Sequence, residues 1–169
     1  ADARRRHAWL TVFRHRSACG QSTATLTGVR AARAEWIVTI DGDGQNPPSE
    51  LPKLLAPLLA DATGRVGLVA GQRVGRQDTL SKRLASRFAN ALRSRFLKDG
   101  TRDTGCGLKA FRRDAFLHLP YFDHMHRYLP AIVGRDGWTT LHVDVSHAER
   151  HAGKSKYANL GRAMVGFGD

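Results

Sequence analysis

The chain has 169 residues, 41% of them hydrophobic and 25% charged, which is enough apolar material for one folded domain and excludes a disordered polymer. Lys and Arg number 27 against 15 Asp and Glu, and the resulting net charge of +12 favours polyanionic partners: nucleic acid, anionic lipid or phosphorylated substrates. No apolar run approaches the ~20 residues of a membrane span and no signal peptide is visible, while the two distant cysteines, Cys19 and Cys106, read as reduced thiols of a cytosolic protein.

Taken in order, Ala1 to His7 reads as the basic end of a helix and Trp9 to Phe13 as a strand. A polar loop leads to a helix over Ser22–Arg33, with Ala24, Leu26, Val29 and Ala32 inward. Trp36 to Ile40 is a short β-branched run, hence a buried strand, and it ends in Asp41-Gly-Asp43-Gly-Gln45-Asn-Pro-Pro48. Ser49–Ala60 reads as a helix capped by Ser49 and kinked or shortened by Pro57.

Val66–Gly71 reads as a strand, followed by a basic loop and the longest helix, Ser81–Lys98, whose Leu84, Phe88, Leu92 and Phe96 recur every four residues. A strand at Leu108–Phe111, helices at Arg113–Leu119 and Arg127–Arg135, and a strand at Trp138–Val145 complete the pattern. The chain closes with a basic, glycine-containing loop over 146–156 and an amphipathic stretch over 157–167. Strands alternating with helices predict an α/β fold: a mainly parallel sheet flanked by helices.

The chemistry concentrates after the Trp36–Ile40 strand. Two carboxylates at i and i+2, at the carboxyl end of a buried strand, are costly unless positive charge lies between them. A divalent cation held by hard oxygen ligands and shared with phosphates is the economical partner. An EF-hand is excluded, because its sixth and twelfth positions would fall on Asn46 and Pro52. Three readings stay open on these residues: a metal–diphosphate clamp, an aspartyl-nucleophile phosphatase and a plain solvated turn. His124 and His126 lack partners at tetrahedral zinc spacing.

An ordered set of short motifs extends the picture. Gly20-Gln21-Ser22, the Asp41–Pro48 turn, Gly71-Gln72-Arg73, Lys82 to Asn90, Asp103-Thr104-Gly105 and Arg150 to Lys156 together resemble a family 2 inverting glycosyltransferase of the dolichyl- or polyprenyl-phosphate sugar synthase type, similar to dolichol-phosphate mannosyltransferase. The resemblance covers about Leu10 to Tyr157 and implies a nucleotide-diphospho-sugar transferase (GT-A-like) fold. It implies that Asp41, Asp43 and Gln45 bind Mg2+ or Mn2+ with the donor diphosphate. Arg73 would reach donor or acceptor phosphates, and Lys82, Ser86 and Arg87 the acceptor phosphate. Lys82 stands where the family is expected to carry Arg, and an ammonium lacks the planar fork of a bidentate contact. Asp103 would lie near the acceptor, among the catalytic residues with Asp41 and Asp43, and Arg150, Ser155 and Lys156 would close over the phosphates.

Each has a plainer alternative: a solvated helix face for Arg83 and Arg87, a loop brace for Asp103, an inert basic stretch for 150–156.

The expected activity is metal-dependent transfer of a sugar from a GDP- or UDP-linked donor to a polyprenyl phosphate. It would run at the cytoplasmic face of a membrane, on a peripherally bound catalytic domain over 1–157 with a surface tail over 158–169. The expected partners are nucleotide sugar, polyprenyl-phosphate lipid and the anionic membrane surface, and no nucleic acid. The alternatives are a basic nucleic-acid-binding domain and the aspartyl phosphatase. The first residue is Ala rather than Met, and the strands that normally carry the Tyr-Asn-Glu-like and Asp-Asp-Gly-Ser-like segments of the family have no counterpart here. An N-terminally incomplete domain with an exposed sheet edge, poorly active alone, is therefore expected.

Overall fold

A computed structural model describes residues 5–74 and 100–148. The expected helix at 81–98 and the tail at 157–167 lie outside them. In chain order the elements are α1 (Gly20–Ala31), β1 (Trp36–Thr39), a 3-10 turn (Pro48–Glu50), α2 (Leu51–Leu59), β2 (Val66–Arg73), β3 (Lys109–Arg112), α3 (Arg113–Leu117), α4 (Met125–Arg135) and β4 (Thr139–Val145).

The four strands form one sheet in the order β1-β3-β2-β4. Period-2 alternation divides their side chains between two cores. Ile37, Leu68 and Phe111 face one side, where Val29 of α1, Phe116 of α3 and Met125, Leu129 and Val133 of α4 cover them. Val38, Val69 and Ala110 face the other, against Leu54 and Leu58 of α2. Leu54 and Leu58 are one helical turn apart, so α2 buries a single stripe.

The sheet is mixed rather than mainly parallel. β3 runs antiparallel to both β1 and β2, with Thr39 and Ala70 each opposite Lys109, and only β2 and β4 are parallel. The cause is the segment before β3. Residues 103–108 pass the carboxyl ends of β1 and β2, so the strand that follows enters the sheet where those two leave it and must run back. β3 thus ends where β1 and β2 begin, the interposed helices α3 and α4 leave and re-enter the sheet at that same end, and β4 pairs parallel to β2.

Two local expectations also change. Trp9 to Phe13 forms no strand: Trp9, Val12 and Phe13 are 79%, 60% and 55% exposed, and strand-forming side chains cannot hold an extended backbone without a ladder partner. Among the described residues β1 is accordingly a sheet edge. Ser49 does not cap α2; it sits inside the 3-10 turn, and no side chain caps either helix start. Pro57 is accommodated within α2, which runs on to Leu59.

At the end of the sheet remote from the acidic turn, the Arg112 guanidinium lies 5.1 Å from the Trp36 ring centre and 5.4 Å from that of Trp138. It also pairs with Glu35 and Asp114. This clamp ties the start of β1 to the residue that precedes β4.

Candidate active site

β1 delivers Asp41 to the carboxyl end of the sheet. The Gln21 amide, on the first turn of α1, donates to Asp41 Oδ1 at 3.1 Å. On the other side the carboxylate lies directly over Gly107: a Cβ there would fall 2.1 Å from Oδ2 and 2.3 Å from Cγ, so a side chain at 107 would displace the Asp41 carboxylate. Gly107 is itself fixed between two strands. Its carbonyl accepts from Thr39 Oγ1 at 2.8 Å, and the carbonyl of the next residue, Leu108, accepts from the Gly71 amide at 2.9 Å.

Asp43 turns the chain. Its Oδ1 accepts the Gln45 amide at 3.1 Å, the Asx arrangement that tightens a turn, and Gly44 takes a φ of 77°, which favours glycine. Residues after β4 are laid against this turn. The Ala148 amide donates to the Gln45 carbonyl at 2.9 Å, Gln45 Nε2 lies 3.3 Å from His147 Nε2, and Ser146 Oγ donates to Glu50 Oε1 at 3.0 Å.

β2 ends in Arg73, whose side chain meets Asp103 in a two-point pair: Nε donates to Oδ2 at 2.5 Å and one terminal nitrogen to Oδ1 at 2.8 Å. The two side chains are only 15% and 14% exposed. Burial alone would raise the Asp103 pKa, but the guanidinium and the Gly105 amide outweigh it and hold the carboxyl below the usual range. Gly105 leaves the room this needs, since a Cβ there would stand 3.1 Å from the Arg73 nitrogen. Asp41 and Arg73 are near enough for the carboxylate's field to act on the guanidinium.

The described residues thus bring together Asp41, Asp43, Gln45, Arg73 and Asp103 at one end of the sheet. The expected contacts Lys82, Ser86, Arg87, Arg150, Ser155 and Lys156 lie outside the described residues. Sequence reasoning passed over Lys109, a lysine 5% exposed in the middle of the sheet, whose Nζ donates to the Cys106 carbonyl. Burial pushes its pKa down, opposed by the carboxylates of Asp41 and Asp103. His126, considered from the sequence only as a zinc ligand and set aside, has Nδ1 2.8 Å from Ser22 Oγ and a pKa lowered to about 4, by burial first and then by the Lys109 charge. Cys106 is buried and its thiol is pushed up by burial, away from the low-pKa, accessible setting of a reactive cysteine.

The donor set suits a hard cation. Among the described residues no three His, Cys, Asp or Glu side chains converge on one point, so those residues would offer the Asp41 and Asp43 carboxylates and the Gln45 amide oxygen. An ion so held keeps positions for phosphate and water, which fits Mg2+ or Mn2+ and not a closed structural site.

Residues 6–119 match the domain described as Glycosyl transferase family 2. This chain belongs to glycosyl transferase family 2. Among curated relatives it is 35% identical over 141 residues to the undecaprenyl-phosphate 4-deoxy-4-formamido-L-arabinose transferase of Pectobacterium carotovorum subsp. carotovorum, a match over 83% of this chain and 42% of that protein. It therefore spans less than half the length of the curated relative. Among solved structures it resembles glucosyl-3-phosphoglycerate synthase of Mycobacterium tuberculosis, crystallised with Mn2+ and UDP-glucose, at a TM-score of 0.62 and 19% identity over 96% of this chain and 56% of that one. Mannosyl-3-phosphoglycerate synthase of Rubrobacter xylanophilus gives a TM-score of 0.59 at 18% identity over 87% of this chain and 48% of that one. The likeness to these two concerns the fold, and it agrees with the GT-A-like architecture expected from the family 2 motifs.

Proposed function

We propose that this family 2 domain carries the donor-diphosphate half of a metal-dependent sugar transferase whose acceptor is a polyprenyl phosphate. The observation that carries the reading is the placement of Asp41 and the Arg73–Asp103 pair at one end of the sheet, bridged by a single segment whose two glycines make room for them. In the reaction an oxygen of the acceptor phosphate attacks the anomeric carbon, the bond from that carbon to the donor diphosphate breaks, and the electron pair leaves with the nucleoside diphosphate. A phosphate monoester is already an anionic nucleophile, so no proton has to be removed from it and positioning with charge neutralisation dominates. Asp41 and Asp43 would hold a divalent cation, which would supply Lewis-acid stabilisation of the charge that grows on the leaving diphosphate.

Within this scheme Gln21 fixes which Asp41 oxygen faces the ligand, and Asp43 folds the turn that presents Gln45. Arg73 offers its guanidinium to phosphate oxygens, and Asp103, both of whose oxygens are engaged, acts through Arg73 by orienting it. The basic residues 82–87 and 150–156 are proposed to complete the acceptor phosphate site. The lipid acceptor places the reaction at a membrane surface, and peripheral attachment at its cytoplasmic face is part of the proposal. Among the described residues no helix is long and apolar enough to cross a membrane.

Calorimetric titration of UDP and of GDP, each with and without Mn2+, tests the reading on the wild type and on Asp43→Asn. Metal-dependent binding of one nucleotide, lost in the variant, is the expected result, and it identifies the donor class. Absence of binding by the chain both alone and with the family's N-terminal strands joined to it would overturn the reading. Salt-dependent DNA binding without a metal requirement would replace it with a nucleic-acid function.

A further inference from the structure

The Asp103–Lys109 segment holds two functional side chains by leaving space for them: Gly105 beside the Arg73 guanidinium and Gly107 under the Asp41 carboxylate. Such a fit is only as good as the placement of the segment's backbone. Three contacts fix it, from Thr39 Oγ1 to the Gly107 carbonyl, from the Gly71 amide to the Leu108 carbonyl, and from Lys109 Nζ to the Cys106 carbonyl.

The third is unusual in kind. Lys109 opens β3, the strand between β1 and β2, and is 5% exposed. Removing an ammonium from water costs several kcal/mol unless its donors are well used. Among the described residues no carboxylate pairs with it directly, and its bond goes to a neutral carbonyl three residues back in its own chain. A hydrophobic residue would fill this place in the core at lower cost, so the energy is spent on position. What the position governs is Cys106–Gly107, the peptide over which Asp41 rests. The fields of two carboxylates, Asp41 and Asp103, reach the same amine and favour its charged form against the cost of burial.

We propose that Lys109 is a positioning residue of the active site: its buried ammonium, bonded to the Cys106 carbonyl, sets the height of the segment on which Asp41 and Arg73 are seated. The assignment deepens the functional reading above and rests on it for the identity of the ligands, but the placement can be measured without any ligand.

The test compares wild type, Lys109→Met and Lys109→Arg by nitrogen-15 NMR without metal, by thermal unfolding, and by Mn2+ titration. Lys109→Met removes the charge and donor at nearly constant volume. It is expected to shift the Gly105 and Gly107 amides and to lose the slowly exchanging Arg73 Nε–H resonance, while the Gly64 and Gly137 amides stay in place. Mn2+ affinity is expected to fall by about 10-fold or more, the usual effect of removing a group that orients a ligand, and Lys109→Arg is expected to recover much of it. A folded Met variant with unchanged Gly105, Gly107 and Arg73 resonances would overturn the assignment. If the Met variant fails to fold, the wild type decides: the Lys109 ζ-ammonium is expected to give a slowly exchanging resonance coupled to the Cys106 carbonyl, and a freely exchanging one would overturn it. Loss of the Arg73 resonance in a protein that binds no Mn2+ at all would sustain the positioning role and refute the metal reading alone.

Discussion

Removing the Asp103 carboxylate gives the sharpest test of how Arg73 is held. In Asp103→Ala the guanidinium keeps its burial and loses both points of its pair, which are 2.5 and 2.8 Å long in the wild type. Stranding one member of a buried pair costs about 3 kcal/mol at the low end of what such pairs show, and the low end applies because both side chains retain some exposure. For a chain of this size that corresponds to a fall in melting temperature of roughly 6–12 °C.

The loss carries a pH signature. Asp103 has a folded pKa below its ordinary 3.8, so its contribution is present above that value and disappears as the pH falls through the folded pKa. The stability gap between wild type and Asp103→Asn is therefore expected to be full at neutral pH and to close in acid below 3.8. Urea unfolding across that range measures it, and a double-mutant cycle with Arg73→Ala isolates the pair. Coupling of at least about 1.5 kcal/mol is expected, and additivity within about 0.5 kcal/mol would refute the claim that Asp103 acts through Arg73.

Gly107→Ala would push a methyl to within 2.1 Å of the Asp41 carboxylate, so it is expected to abolish Mn2+-dependent nucleotide binding at a stability cost of about 1–3 kcal/mol, checked by calorimetry and urea unfolding together. Gly67→Ala is its control. The added carbon would meet Trp138 at 2.6 Å, away from the site, and is expected to destabilise by a similar 1–3 kcal/mol while leaving the nucleotide affinity of whatever remains folded unchanged. His126 is held neutral by burial, with a folded pKa of about 4 against 6.5, so folding stability is complete above 6.5 and erodes as the pH falls toward 4. His126→Gln is expected to flatten that slope in thermal unfolding between those limits.

Much of this was readable from residue order. The β-branched run Ile37-Val38-Thr39 before Asp41-Gly-Asp43 announced β1 and the acidic turn, and the Ser49–Ala60 segment was legible as the helix that became α2. Strand direction was not readable, because the direction of β3 follows from where residues 103–108 cross the sheet, a tertiary fact with no local composition. Trp9-Leu-Thr-Val-Phe13 misled for a related reason: its side chains suit a strand, but pairing partners decide whether one forms. Lys109 was invisible because a charge in the alternating run Leu-Lys-Ala-Phe reads as the solvent face, whereas this strand is covered on both faces. Gly105 and Gly107 read as loop formers; that each clears space for one named side chain appears only when distances are known.

The Arg112 clamp gives the protein an optical ruler. Two of its three tryptophans, Trp36 and Trp138, share one guanidinium, while the third, Trp9, is 79% exposed and reports bulk water. At about 3.3 Å per residue along an extended chain, Trp36 stands roughly 16 Å from Asp41, too far for direct quenching by a ligand bound there. Emission from the clamped pair should then stay constant while nucleotide is titrated and change when the sheet comes apart. One fluorescence trace would thus separate occupancy of the acidic turn from loss of the scaffold beneath it.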